Sequence, residues 1–263
     1  MKPDETVRDA VRQVYAQVAE GARGCCGKPA VEPTAAQALG YSPEELASVP
    51  RDAEMGLGCG NPQAIAALQA GETVLDLGSG GGFDCFLAAR QVGRSGKVIG
   101  VDMTPEMVAR ARANALRGDY PNVEFRLGEI ERLPVADSSV DVILSNCVIN
   151  LSPEKEKVFA EAFRVLKPGG RLAISDVVAI APISKAMKKD AALHACCIAG
   201  AASVAEIEEA LAAAGFEEIC VEPKPESREF IRHWASGFHV EDYVVSATIE
   251  ALKPASMHEV LLP

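Results

Sequence analysis

The chain has 263 residues, 48% of them hydrophobic, with a formal charge of −11 and a pI near 5.0. That length and apolar content suit one large domain, or one domain with additions, able to bury its own core. The acid excess, without a Lys/Arg cluster, excludes a nucleic-acid-binding surface. No apolar run approaches the roughly 18 residues of a membrane span, and the polar first 20 residues are unlike a signal peptide. A cytoplasmic protein with no membrane partner is expected.

In chain order, residues 6–20 carry Val7, Val11, Val14, Tyr15 and Val18 at helical spacing, which predicts an amphipathic helix packed on the main domain. The glycine-rich GARGCCGKPA that follows places Cys25 and Cys26 on a surface loop. Ser42 and Pro43 read as the cap and first turn of a helix. GLGCGNP, residues 56–62, is a second glycine-rich loop and delivers Cys59 just before a short helix at residues 62–69.

TVLDLGSGGGF, residues 73–83, combines a buried strand at 73–77 with a loop of Gly78, Gly80, Gly81 and Gly82. Such a loop lets a ligand approach backbone N–H groups at a helix start, and it also serves as a tight strand-to-helix turn with no ligand. A second strand at 96–102 ends in Asp102, at about the spacing that hydrogen-bonds ribose hydroxyls. A dinucleotide-binding oxidoreductase shows the same pair. Asp76, inside the strand just before the glycines, disfavours a pyrophosphate there and suits a cationic cofactor.

Residues 104–116 predict a helix, 123–127 a third strand followed by Gly128, Glu129, Ile130 and Glu131, and 140–144 a fourth strand running into SNCVINL. A helix at 153–166 and a fifth strand at 171–177 follow. Ligands of open α/β sheets bind beyond the carboxyl ends of strands, so the Gly78 loop, Asp102, Glu129 and Cys147 are expected around one crevice. Residues 182–202 predict a helical cap over it, containing His194, Cys196 and Cys197. Ser203 with Glu206 forms a capping box for a helix that Gly215 ends. Strands at 219–222 and 243–252 complete the set. The fold class is therefore α/β: a doubly wound, mostly parallel, seven-stranded Rossmann-like sheet. A helical and loop extension (1–70) precedes the cofactor domain (71–180), and a cap with the last helix and strands (181–263) follows it.

The eight cysteines are not expected to form a disulfide framework in a reducing cytosol, and none has the C-x-x-C spacing of a zinc knuckle. Cys85 and Cys220 read as buried packing residues. Cys59, Cys147 and Cys197 fall around the crevice, with Cys25 or Cys26 on a loop within reach. Thiolates select soft ions; the alternative is a chance gathering in a cysteine-rich enzyme.

The run LDLGSGGG, then VD, then LKPGG resembles the class I S-adenosylmethionine-dependent methyltransferases. GCGNP, LDLGSGGGFDC, GVDMTPEMV, SNCVINLSPEK, LKPGGRLAISDV and CCIAGA, in this order, resemble the arsenite S-adenosylmethionine methyltransferases over nearly the whole chain. The resemblance implies S-adenosylmethionine as cofactor. Gly78 and Gly80 would hold its methionine end, Asp76 its ammonium, Asp102 its ribose hydroxyls, Glu129 and Ile130 the adenine edge, and Met103 the adenine face. Asn146 either orients the methionyl group or stabilises its own loop. The resemblance further implies that Cys59, Cys147 and Cys197 bind As(III), with arsenite and methylarsenite as substrates. Cys26 is the implied N-terminal thiol and Cys25 its alternative. Thioredoxin or glutathione is the implied reductant. No general base is required, and His194 and His239 read as surface or packing residues. Two other readings stand beside this one: a methyltransferase for a small organic acceptor, and a metalloid-binding protein without turnover.

Overall fold

The computed structural model describes residues 3–21, 35–235 and 237–255; Cys25 and Cys26 lie outside them. Helix α1 (Pro3–Ala19) is followed by three short helices, α2 (Ala35–Ala38), α3 (Pro43–Ala47) and α4 (Gln63–Ala66). The alternating part runs β1 (Thr73–Leu77), α5 (Phe83–Val92), β2 (Lys97–Asp102), α6 (Pro105–Gly118), β3 (Val123–Leu127) and β4 (Val140–Asn146). It continues with α7 (Lys155–Val165) and β5 (Leu166–Ala179). Two short helices, α8 (Lys185–Lys188) and α9 (Ala191–Ala195), precede α10 (Val204–Ala214), β6 (Glu217–Lys224), α11 (Arg228–Ile231) and β7 (Val244–Leu252).

The seven strands form one sheet in the order β3-β2-β1-β4-β5-β7-β6. β7 runs antiparallel to both its neighbours, and the pairs from β3 through β5 are parallel. The doubly wound, mostly parallel sheet expected from the sequence is the one observed. β1 is central because Val74, Leu75 and Leu77 are apolar on both sheet faces and completely buried. One face packs Leu75, Leu77 and Ile143 against Val158 and Phe159 of α7 and Leu211 of α10. The other packs Val74, Val142 and Leu144 against Cys85, Phe86 and Val92 of α5. Strand order reverses between β1 and β4, and register places Leu77 opposite both Val101 and Ser145. The carboxyl ends of these central strands therefore open side by side, where ligands of such sheets bind.

Local chemistry accounts for the helix boundaries. Ser42 caps α3 with Pro43 in the first turn, and Ser203 with Glu206 makes the expected capping box on α10, which ends at Gly215 with φ 100°. Three sequence expectations are corrected. The helix expected at 62–69 stops at Ala66 because Ala67 turns left-handed, φ 47°. The helical cap at 182–202 is two single turns, since Cys197 at φ 61° breaks the helical path beyond α9. Cys220 is exposed instead of buried, because β6 is the edge strand and its other residues are largely half-buried or exposed. Among the described residues, no helix is long and apolar enough to cross a membrane.

Candidate active site

The turn after β1 puts Gly80 at φ 50° with open space where a side chain would stand. The Gly80 N–H donates to Asp102 Oδ2 at 2.9 Å, and the Thr104 N–H donates to Oδ1 at 2.8 Å. Asp102 is thereby fixed at the end of β2, with the Thr104 side chain as a further hydrogen-bond partner. Burial raises its pKa and the backbone donors oppose that shift. Asp76 lies deeper, accepting the Cys85 thiol at 3.2 Å. Burial, then the charge of Asp84, pushes its pKa well above the ordinary carboxylate range. Asp84 accepts the Tyr41 hydroxyl at 2.7 Å. A cationic ligand here relieves the repulsion that holds these carboxylates up.

One pocket gathers most of the sequence-predicted cofactor residues: Asp76, Gly78, Gly80, Asp102, Met103, Ile130 and Asn146 all line it, and so does Cys147. Glu129 does not. Its carboxylate pairs with Arg12 of α1 at 3.0 Å, and Glu131 lines the pocket in its place. Helix α1 reaches over the opening: Arg8, Val11 and Tyr15 line the pocket, and Arg8 bridges Glu131 and Glu154 at 3.2 and 3.0 Å. The amphipathic spacing of α1 revealed its packing face but not this position above a ligand pocket.

Three cysteines from distant segments meet beside that pocket. Cys59 is carried by a loop whose glycines permit close approach: a Cβ on Gly58 would stand 2.8 Å from Asn146 Nδ2, and one on Gly60 2.9 Å from Ser175 Oγ. Asn146 accepts the Cys59 N–H at 3.0 Å and donates to Gly60 O at 2.9 Å. Its carboxamide is committed to the loop, with further contacts to Tyr41 and Asp84. Ser246 Oγ donates to the Cys59 carbonyl at 2.7 Å. Cys147 follows β4 at φ 60°, its N–H donating to Ser175 O at 2.8 Å. Cys197, also left-handed, donates its thiol to Cys147 O at 2.9 Å. Cys147 and Cys197 are two of seven described non-glycine residues in this costly backbone region, and both stand at this one site.

Cys147 is the hub. Hydrogen bonds with the Cys197 and Cys59 thiols, followed by burial, push its pKa well above the usual thiol value. Burial alone is the chief cause of the rise at Cys59. Around them Val11, Leu151, Ile183, Leu193, Ile231 and Val240 form a separate apolar cluster that also contains Cys196. Asp176, which sequence reading missed, has a carboxylate oxygen grouped with the Cys59 and Cys147 sulfurs, all three atoms within 4.8 Å of one another. It accepts the Ile149 N–H, the Asn150 Nδ2 and the Val177 N–H, each at 2.8 Å, and burial lifts its pKa to about 6. The available signal was a third apolar run leading into an aspartate, LAISD, beside VLD and GVD. His194 is half-buried with Nε2 3.1 Å from Leu151 O, and the His239 side chain is 80% exposed.

The donor set fits S-adenosylmethionine: buried carboxylates for an ammonium, a fixed aspartate lining the pocket for a diol, and a glycine turn open to the ligand. Fold and pocket together define a class I S-adenosylmethionine-dependent methyltransferase. Residues 68–215 match a methyltransferase domain family. The chain is 52% identical to an arsenite methyltransferase of Halobacterium salinarum, over 96% of this chain and 68% of that protein. It is 50% identical to an arsenite methyltransferase of Aquipseudomonas alcaligenes over 55% of this chain and 43% of that one. The crystal structure of an arsenic(III) S-adenosylmethionine methyltransferase from Chlamydomonas reinhardtii superposes with TM-score 0.62 and 31% identity, covering 86% of this chain and 75% of the other. The chain belongs to the arsenite methyltransferase family.

Proposed function

We propose that this protein methylates trivalent arsenic held by Cys59, Cys147 and Cys197, with S-adenosylmethionine as methyl donor. The observation that carries the reading is the convergence of three thiols from three separate segments, one of them lining the pocket that holds Asp76 and Asp102. Arsenite, As(OH)3, exchanges its oxygens for sulfur: three As–S bonds form, three As–O bonds break, and each thiol proton leaves with a hydroxide as water. The arsenic lone pair of the trithiolate is the nucleophile. When bound, the cofactor supplies an electrophilic methyl group on its sulfonium.

The protein's own part is placement. Asp102 binds the ribose hydroxyls, Asp76 the ammonium, and the Gly80 turn the methionine end. Asn146 fixes the Cys59 loop against the end of β4, so the cofactor strand and the thiols share one rigid frame. Holding two reactants in contact in this way is worth several kcal/mol of barrier, on the order of 7–11 in well-aligned cases. The apolar cluster around the thiols excludes water, and no side-chain base is needed because the nucleophile is a lone pair. After transfer arsenic is pentavalent; two protein thiols return it to the trivalent state by giving up two electrons as a disulfide. Thioredoxin or glutathione in a reducing cytoplasm reopens that disulfide, with Cys26 as the N-terminal thiol of this step.

Speciation of arsenic after incubation with arsenite, S-adenosylmethionine and a thiol reductant tests the reading. Methylated arsenicals are expected. Unchanged arsenite in a protein that binds the cofactor would point to an organic acceptor, and unchanged arsenite with no cofactor binding to a metalloid-binding protein.

A further inference from the structure

Arsenic chemistry leaves one donor of the thiol cluster unused. The Asp176 oxygen that groups with the Cys59 and Cys147 sulfurs belongs to a residue only 1% exposed. Its Oδ1 accepts two hydrogen bonds, from Asn150 and Val177, whereas Oδ2 accepts only the Ile149 N–H. Three donors against four lone pairs leave one free on this carboxylate, which stands beside two thiols.

We propose that Cys59, Cys147 and Asp176 form a site for a thiophilic d10 dication, of the zinc and cadmium class, overlapping the arsenic site through its two shared thiols. The donor chemistry separates the two ligands. Trivalent arsenic makes lasting bonds to sulfur and readily hydrolysed ones to carboxylate, so it takes Cys197 as third donor. A dication takes mixed thiolate and carboxylate sets. Spacing supports this: a tetrahedral zinc with metal–sulfur bonds of about 2.3 Å keeps its donors about 3.8 Å apart. The three atoms here, no more than 4.8 Å apart, need to close by at most about 1 Å between the sulfurs and about 1.3 Å between sulfur and oxygen. Charge supports it as well. Two thiolates and a carboxylate over-neutralise a dication, whereas a neutral arsenic trithiolate gains nothing from a carboxylate. Access runs through Cys147, which lines the cofactor pocket. Binding forms two metal–sulfur bonds and one metal–oxygen bond and releases the two thiol protons to solvent. Because Cys59 and Cys147 serve both ligands, dication and arsenite exclude each other, and the site makes the enzyme sensitive to zinc-class metals.

The test is titration of the reduced full-length chain with cadmium chloride, in a Cys25→Ser, Cys26→Ser background that removes the adjacent N-terminal pair. Thiolate-to-cadmium charge-transfer absorption and the number of thiols protected from alkylation are read. One cadmium should protect two thiols, against three for arsenite. Asp176→Asn should weaken cadmium binding at least about tenfold and leave phenylarsine oxide binding unchanged; Cys197→Ser should do the reverse, weakening arsenite and sparing cadmium. Three thiols protected by cadmium, or undiminished cadmium affinity in Asp176→Asn, overturns the proposal. Should Asp176→Asn fail to fold, the thiol count in the unsubstituted Asp176 background and the Cys197→Ser arm decide it alone. Failure of arsenite to bind while cadmium protects two thiols would refute the arsenic reading and leave this site standing.

Discussion

Asn146 Oδ1 accepts the Cys59 N–H at 3.0 Å across 87 residues of sequence. This bond joins the last residue of a central strand to the loop that carries the first thiol. The other end of the same carboxamide donates to Gly60 O at 2.9 Å, so one side chain grips both flanks of Cys59. Asn146→Ala leaves the N–H of buried Cys59 and the carbonyl of half-buried Gly60 without this partner, which costs about 1–3 kcal/mol. Denaturant unfolding should show that loss, and phenylarsine oxide should bind more weakly while cofactor affinity changes less. Wild-type arsenical affinity in this variant would mean that the loop is held by something else.

The second grip on the loop is steric. A methyl group at Gly60 would stand 2.9 Å from Ser175 Oγ and 3.0 Å from Ser175 Cβ, inside any tolerable contact. Gly60→Ala should destabilise the fold by about 1–3 kcal/mol through overpacking. Ser175 Oγ has no hydrogen-bond partner to lose. Ser175→Ala should therefore recover part of the loss, and a double-mutant cycle on unfolding midpoints measures the coupling. Strict additivity would show that the two residues do not meet.

Much of this was legible in the sequence because it rests on local pattern. The apolar run at 73–77, the glycines behind it and the aspartate closing 97–102 are short-range signals, and they fixed the sheet centre and the cofactor side of the crevice. Ser42, Ser203 and Gly215 marked helix ends for the same reason. What failed depends on distant partners. Glu129 sits in the expected turn but is drawn outward by Arg12, a residue 117 positions away whose partner no window reveals. Asp176 and Tyr41 gain their importance only once β5 and the 35–41 segment are packed. Cys220 was assigned to the core because its neighbours are apolar, yet an edge strand need not bury them.

Asp102 is already bonded to two backbone N–H groups, so its orientation does not depend on a ligand. Asp102→Ala removes the acceptor proposed for the ribose hydroxyls and should weaken S-adenosylmethionine by about 1–3 kcal/mol in calorimetry. Unchanged affinity would take Asp102 out of the cofactor site.

Cys147→Ser and Cys197→Ser replace soft donors with hydroxyls that bind arsenic poorly. Each should abolish arsenite methylation. Because neither thiol is expected on the ammonium or ribose contacts, cofactor affinity should stay near wild type. Turnover of arsenite at the wild-type rate by either variant would show that the thiol set is misassigned.

The last prediction follows from the direction in which the fold moves two thiols. Pairing with Cys197 and Cys59 raises the pKa of Cys147, and burial raises that of Cys59. A raised thiol pKa means that the protonated form persists further into alkaline solution, so both groups are neutral thiols through neutral pH. Arsenite there is a neutral triol. Each of these thiols therefore brings a proton into the reaction, and each departing hydroxide carries one away as water, so neither thiol releases a proton to solvent. A zinc-class dication behaves oppositely, driving two protons off the same pair. Arsenite affinity should thus stay flat between about pH 6 and 8, while cadmium affinity rises with pH. Calorimetry in two buffers of different ionisation enthalpy gives the proton count directly. The heat of arsenite binding should hardly depend on buffer, and that of cadmium should. Release of two protons on arsenite binding would show that Cys59 and Cys147 are thiolates before the ligand arrives, contrary to the environment the fold provides.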